Sequence, residues 1–134
     1  MEISLEHIGR RFNREWIFRG ISRSFTGGNS YAILGPNGSG KSTLLQILAG
    51  SLTPSEGTIA HIGAEGATDP EKVFRSVSIA APYLELIEEF TLSEILRFHF
   101  NFKKALRGLS SDQLIALMEL EKARNKQLKY FSSG

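Results

Sequence analysis

The segment Gly35-Pro36-Asn37-Gly38-Ser39-Gly40-Lys41-Ser42-Thr43 constrains this chain more than any other. It matches the pattern G-x-x-x-x-G-K-[ST] at every fixed position. The short apolar run Tyr31–Leu34 precedes it and reads as a fully buried strand. After it, residues 41–49 switch to helical spacing through Leu44, Leu45, Ile47 and Leu48, with Gly50 as the helix stop. Strand, glycine-rich loop and helix in that order wrap a polyphosphate. The loop must turn several backbone N–H groups inward, which requires dihedrals that Gly38 and Gly40 adopt cheaply. A helix opening near Lys41 offers unpaired N–H groups and its positive dipole end to an anion. Lys41 can reach β- and γ-phosphates, Ser42 can ligate Mg²⁺ bridging them, and Thr43 can donate to the α-phosphate.

Composition narrows the setting. The chain has 134 residues, enough for one domain, and 41% of them are hydrophobic, which suits a packed core rather than disorder. Its formal charge is only +2 and its basic residues are interspersed with acidic ones, so it carries no nucleic-acid footprint. Cysteine is absent, which removes disulfides, thiolate metal sites and Cys nucleophiles together. No apolar run is long enough to span a bilayer, and the opening Met1-Glu2-Ile3-Ser4 lacks the basic start of a signal peptide. A cytoplasmic location follows as the expectation.

The first half is β-rich. Residues 2–8 alternate through Ile3, Leu5 and His7, and Trp16–Phe18 with Ile21–Phe25 form a second strand region. Thr26-Gly27-Gly28-Asn29 reads as a turn. Thr58–Ile62 and Val77–Ala80 are further strand candidates. The second half is helical. Thr91-Leu92-Ser93-Glu94 is a capping box, followed by Ile95, Leu96, Phe98, His99 and Phe102 on one side. Another helix opens near Ser110 or Ser111 and carries Leu114, Ile115, Leu117, Met118 and Leu120.

The wording GPNGSGKST followed by LLQILAG resembles the ATP-binding cassette (ABC) ATPases. So do Leu52-Thr53-Pro54-Ser55-Glu56-Gly57-Thr58-Ile59 after the loop helix and Gly20-Ile21-Ser22 before the loop. Phe131-Ser132-Ser133-Gly134 falls where that family has its L-S-G-G-Q signature, with Ser133 in place of the first Gly and Phe131 in place of Leu. The resemblance implies an α/β fold: a P-loop core with an N-terminal antiparallel β subdomain and a helical subdomain. It divides the chain at about residues 1–80, 90–130 and 131–134, all within one nucleotide-binding domain. It implies ATP and Mg²⁺ as ligands, held by Gly35, Pro36, Asn37, Gly38, Ser39, Gly40, Lys41, Ser42 and Thr43. Phe12 stands where the family stacks an aromatic ring on adenine; Trp16 is a nearby competitor, better suited to packing. Ser132, Ser133 and Gly134 would meet the nucleotide of a second cassette.

Two departures accompany the resemblance. The family's Gln after the strand containing Ile79 would fall near Pro82, and no Gln is there, so either Glu85 or a water substitutes or this metal contact is absent. The family's strand ending in Asp then Glu, which holds Mg²⁺ and polarises the attacking water, would lie beyond the signature. His7, His61 and His99 precede the signature, cannot serve as the family's later switch His, and read as surface or partly buried residues. Lys41 remains the one residue expected to stabilise transition-state charge. The chain is therefore expected to be the N-terminal portion of a cassette, inactive by itself, truncated before the Walker B strand. In a whole transporter it would pair with a second cassette and a transmembrane permease, reaching the inner face of the membrane through that partner. The alternatives are a DNA-repair or ribosome-associated cassette protein, and a binding module without turnover. A small GTPase is excluded because Leu128 stands where Asn125-Lys126-Gln127 would need a guanine-binding Asp.

Overall fold

A computed structural model describes residues 1–81, 86–103, 105 and 108–132. They form two compact units, Met1–Ile79 and Ala80–Gly134.

The first unit is built on an antiparallel sheet of four strands, β1 (Glu2–Phe12), β2 (Glu15–Thr26), β3 (Glu56–Gly63) and β4 (Gly66–Ala67), in the order β2-β1-β3-β4. β1 and β2 form a hairpin whose last pair is Phe12 with Glu15, across a turn in which Asn13 takes a positive φ. The alternation of β1 breaks at His7, also at positive φ, where the register with both neighbours shifts. Such a bulge re-aims the residues beyond it. Helix α1 (Lys41–Leu48) lays Ile47 and Leu48 against Leu5 and Ile8, and these four residues form the buried centre of the unit. Gly50 follows the helix at φ +74° and its N–H donates to Ile47 O, a left-handed end that glycine suits.

Two anticipated strands are not formed. The apolar run Tyr31–Leu34 suits a fully buried strand, but no β-bridge joins it to any described strand, and Leu34 is 88% exposed. Apolar character cannot make a strand without a neighbour to take its N–H and C=O groups. Ile33 still packs on the core, while the Tyr31 hydroxyl accepts the Thr26 N–H at 2.9 Å and closes the preceding turn. Val77–Ala80 likewise lies outside any strand; Val77 donates its N–H to Val73 O, extending the 3-10 turn Pro70–Arg75.

The second unit contains α2 (Leu92–Phe100) and α3 (Ser111–Leu117), with 3-10 turns at Glu121–Ala123 and Leu128–Tyr130. Both helices open with a reciprocal capping box. Thr91 Oγ1 accepts from Glu94 N at 3.3 Å, and Glu94 Oε2 accepts the Thr91 N–H at 2.8 Å. Ser110 and Gln113 repeat the arrangement at 3.2 and 2.8 Å. The S-x-x-Q spelling of that second cap was visible in the sequence. The segment after α3 returns beside the start of α2, with Leu92 N–H on Lys126 O and Leu128 N–H on Phe90 O. Phe98 packs edge-on against both Phe90 and Phe102.

Candidate functional site

The glycine-rich loop lies between the open segment Tyr31–Leu34 and α1. Gly38 and Gly40 have φ of +81° and +85°, the left-handed values that its turns require. Gly40 is the N-cap of α1, and no side chain caps the helix there. The first-turn N–H groups therefore face outward with no side-chain oxygen upon them, as an anion site needs. The Lys41 ammonium folds back over the loop and donates to Gly35 O at 2.9 Å and Pro36 O at 2.7 Å. Two carbonyls thus hold the cation at the mouth of the loop. Ser39 N–H closes the turn on Pro36 O at 3.3 Å. Gly35, Pro36, Asn37, Gly38, Ser39 and Ser42 are exposed, while Gly40, Lys41 and Thr43 are half-buried.

Strand β2 supports the loop from behind. A Cβ added to Gly40 would run into Ile17 Cγ2 and would lie 2.9 Å from Phe18 Cδ1. Glycine is needed at this position for space as well as for φ. The loop's lower wall is a cavity of about 290 Å³ lined by Phe18, Ile21, Ile33, Leu44 and the loop itself.

Phe12 ends β1 and is 48% exposed, with the Arg10 guanidinium 4.7 Å from its ring centroid. Trp16 differs: Arg19 and Arg11 lie 4.2 and 5.5 Å from its ring centroid, and Arg19 also grips Glu56 with two hydrogen bonds of 2.8 Å. That pairing lowers the Glu56 pKa from its usual value and raises that of Arg19, the side-chain hydrogen bond being the larger cause in each.

Sequence reasoning missed three features. It found neither Ile17 and Phe18 behind Gly40 nor the anchoring of Arg10. It also read His61 as a surface or partly buried residue, whereas His61 is fully buried, at 5% exposure, and its Nε2 lies 2.8 Å from Leu48 O, joining β3 to the end of α1. None has a local signature, because each depends on elements far apart in the chain. Of the proposed signature residues, Ser132 is exposed, while Ser133 and Gly134 lie outside the described residues. So do Pro82 and Glu85, where the substitute for the missing Gln was sought.

Among the described residues no group of three His, Cys, Asp or Glu could hold a metal ion, and no helix is long and apolar enough to cross a membrane.

A glycine-rich loop with its lysine in place, opening a helix beside an antiparallel sheet, defines a P-loop nucleotide-binding unit. The family described as ABC transporter matches residues 18–134, and the chain belongs to it. Among curated relatives, it is 49% identical over 121 residues to the cytochrome c biogenesis ATP-binding export protein CcmA of Paramagnetospirillum magneticum, covering 88% of this chain and 56% of that protein. It is 31% identical over 137 residues to a probable sulfate/thiosulfate import ATP-binding protein CysA of Chlorella vulgaris, covering 100% of this chain and 58% of that protein. The chain thus spans a little over half the length of these two relatives. The fold is that of the ATP-binding subunit of an ABC transporter, with a TM-score of 0.77 at 24% identity, covering 99% of this chain and 57% of that one. A dimeric ATP-binding cassette in a post-hydrolysis state, bound to ADP and Pi, matches with a TM-score of 0.73 at 22% identity, covering 98% of this chain and 63% of that one.

Proposed function

We propose that this chain is the phosphate-binding portion of the ATP-binding subunit of an ABC transporter. The identity with CcmA proteins favours one of the export type that serves cytochrome c biogenesis. The observation that carries the reading is the Lys41 ammonium, held by Gly35 O and Pro36 O beside the uncapped start of α1. A cation held in this way costs an arriving triphosphate little ordering. The ammonium exchanges a carbonyl for β- and γ-phosphate oxygens, while the N–H groups of the first helical turn take the remaining charge. Ser42, exposed on that turn, fits the role of Mg²⁺ ligand. Nucleotide phosphates and water would supply further ligands, as Mg²⁺ commonly accepts. A Mg²⁺ held there would supply neutralisation of the nucleotide's phosphate charge. Phe12 offers its ring to the adenine. In the whole protein, two such cassettes close on ATP, Ser132, Ser133 and Gly134 meet the partner's nucleotide, and closure drives a membrane-spanning permease.

Calorimetry with Mg-ATP tests the reading. Lys41→Ala removes charge-assisted bonds to the phosphates and is expected to weaken ATP about 10- to 100-fold. Unchanged affinity in that variant refutes the assignment of the loop.

A further inference from the structure

We propose that Arg10 is a positioning residue: it sets the plane and place of the Phe12 ring and so governs how tightly the purine base of the nucleotide is held. The inference rests on the reading that Phe12 receives the base. Phe12 stands at the end of β1, one residue before the hairpin turn, and nearly half its surface is open. A ring there has free rotamers unless something fixes it. The Arg10 guanidinium lies over it at 4.7 Å, and Arg10 Nη1 donates to Thr53 O at 2.9 Å.

Thr53 O is itself a fixed point. Leu52 N–H and Ser51 N–H both bond Gln46 O in α1, and Ser55 N–H bonds Gly9 O at 2.8 Å. The Arg11 N–H then donates to Ser55 Oγ at 3.2 Å. The carbonyl that holds Arg10 therefore belongs to a segment tied to α1 on one side and to β1 on the other. Since α1 begins at the phosphate loop, Arg10 refers the ring to the same helix that holds the phosphates.

Two observations favour this role over incidental packing. Arg10 Nε is buried and has no hydrogen-bond partner among the described residues. A buried N–H without an acceptor is unfavourable, and the cation's seat over the ring and its bond to Thr53 O offset that cost. Trp16, the other nearby aromatic, is less exposed than Phe12 and has two guanidinium groups, of Arg19 and Arg11, beside its ring. In addition, a cation on one face of Phe12 draws off the ring's negative quadrupole, which favours stacking of an electron-rich purine on the other face.

Binding of Mg-ATP and of inorganic tripolyphosphate to the purified protein separates this role from a structural one. Arg10→Ala is expected to weaken ATP about 3- to 5-fold, the scale of an exposed cation–π contact, and to leave tripolyphosphate within twofold. Arg10→Lys, whose ammonium can still reach the ring and the carbonyl, is expected to recover at least half of that loss on a logarithmic scale. Phe12→Ala is the control for the underlying reading, with an expected ATP loss of about 5-fold or more. An effect in Phe12→Ala but none in Arg10→Ala overturns the proposal and leaves the reading of Phe12 standing. No ATP-selective effect in either overturns both. Equal loss of ATP and tripolyphosphate in Arg10→Ala also overturns it. If that variant binds neither ligand, Arg10→Gln, which keeps a donor for Thr53 O, is measured against the same criterion.

Discussion

Substituting Gly40 with alanine separates two demands that the loop makes on one residue. The first is conformational: φ of +85° costs an L-residue about 1–2 kcal/mol. The second is space. The new methyl would run into Ile17 Cγ2 and press on the Phe18 ring, and forcing a methyl into filled space costs about 1–3 kcal/mol. Together the loss is about 2–5 kcal/mol, a large share of the ~5–15 kcal/mol that holds a domain folded. In thermal unfolding followed by circular dichroism, Gly40→Ala should melt roughly 10–20 °C below the parent. Gly38→Ala isolates the first demand, since its φ is +81° but nothing lies within 4 Å of the added Cβ. It should lose only about 1–2 kcal/mol. The second demand is isolated by a double-mutant cycle with Ile17→Ala, which removes the obstructing methyl. The cycle should show a favourable coupling of about 1–3 kcal/mol. Equal melting temperatures for Gly40→Ala and Gly38→Ala, or strict additivity with Ile17→Ala, would show that β2 does not support the loop.

Three further outcomes follow from the same contacts. Thr91→Ala removes the hydroxyl that accepts the Glu94 N–H and donates to the Glu94 carboxylate, leaving the backbone N–H in place, and should cost about 1 kcal/mol, read as faster amide exchange over the first turn of α2. The Thr91 backbone and hydroxyl bonds hold the Glu94 carboxyl below its usual pKa. Its contribution is therefore complete above the ordinary carboxylate range and is lost as pH falls through the lowered value. Because that contribution is present at neutral pH, Glu94→Gln should lower stability slightly there and flatten the acid limb of the stability profile. His61→Ala leaves Leu48 O without its side-chain donor in a buried setting and should destabilise the first unit by about 1–3 kcal/mol in urea titration.

Local chemistry made some elements legible and not others. The first two strand regions, α1, the Thr91 cap and the glycine-rich loop follow from short-range rules, namely alternation, helical spacing, capping and tolerance of positive φ. Tyr31–Leu34 met the same rules for a strand and is not one among the described residues, because pairing is supplied by a neighbour and not by the segment itself. The bulge at His7 follows the same logic: period two predicts continuation, and only the register with β2 and β3 shows the slip. Arg10 reads in the sequence as one of several scattered cations. Its partners Phe12 and Thr53 lie 2 and 43 residues away, and the longer contact leaves no local trace.

The sequence by itself determined that residues 35–43 form a glycine-rich loop opening a helix, since glycine, lysine and serine at that spacing answer to backbone geometry and charge within nine residues. Tertiary structure decided what stands behind the loop. Ile17 and Phe18 on β2 make Gly40 a matter of volume, and Thr53 beyond α1 gives Arg10 its anchor. Those contacts are set by how β1, β2 and α1 share one core, and close packing between distant segments is fixed only when the chain has folded.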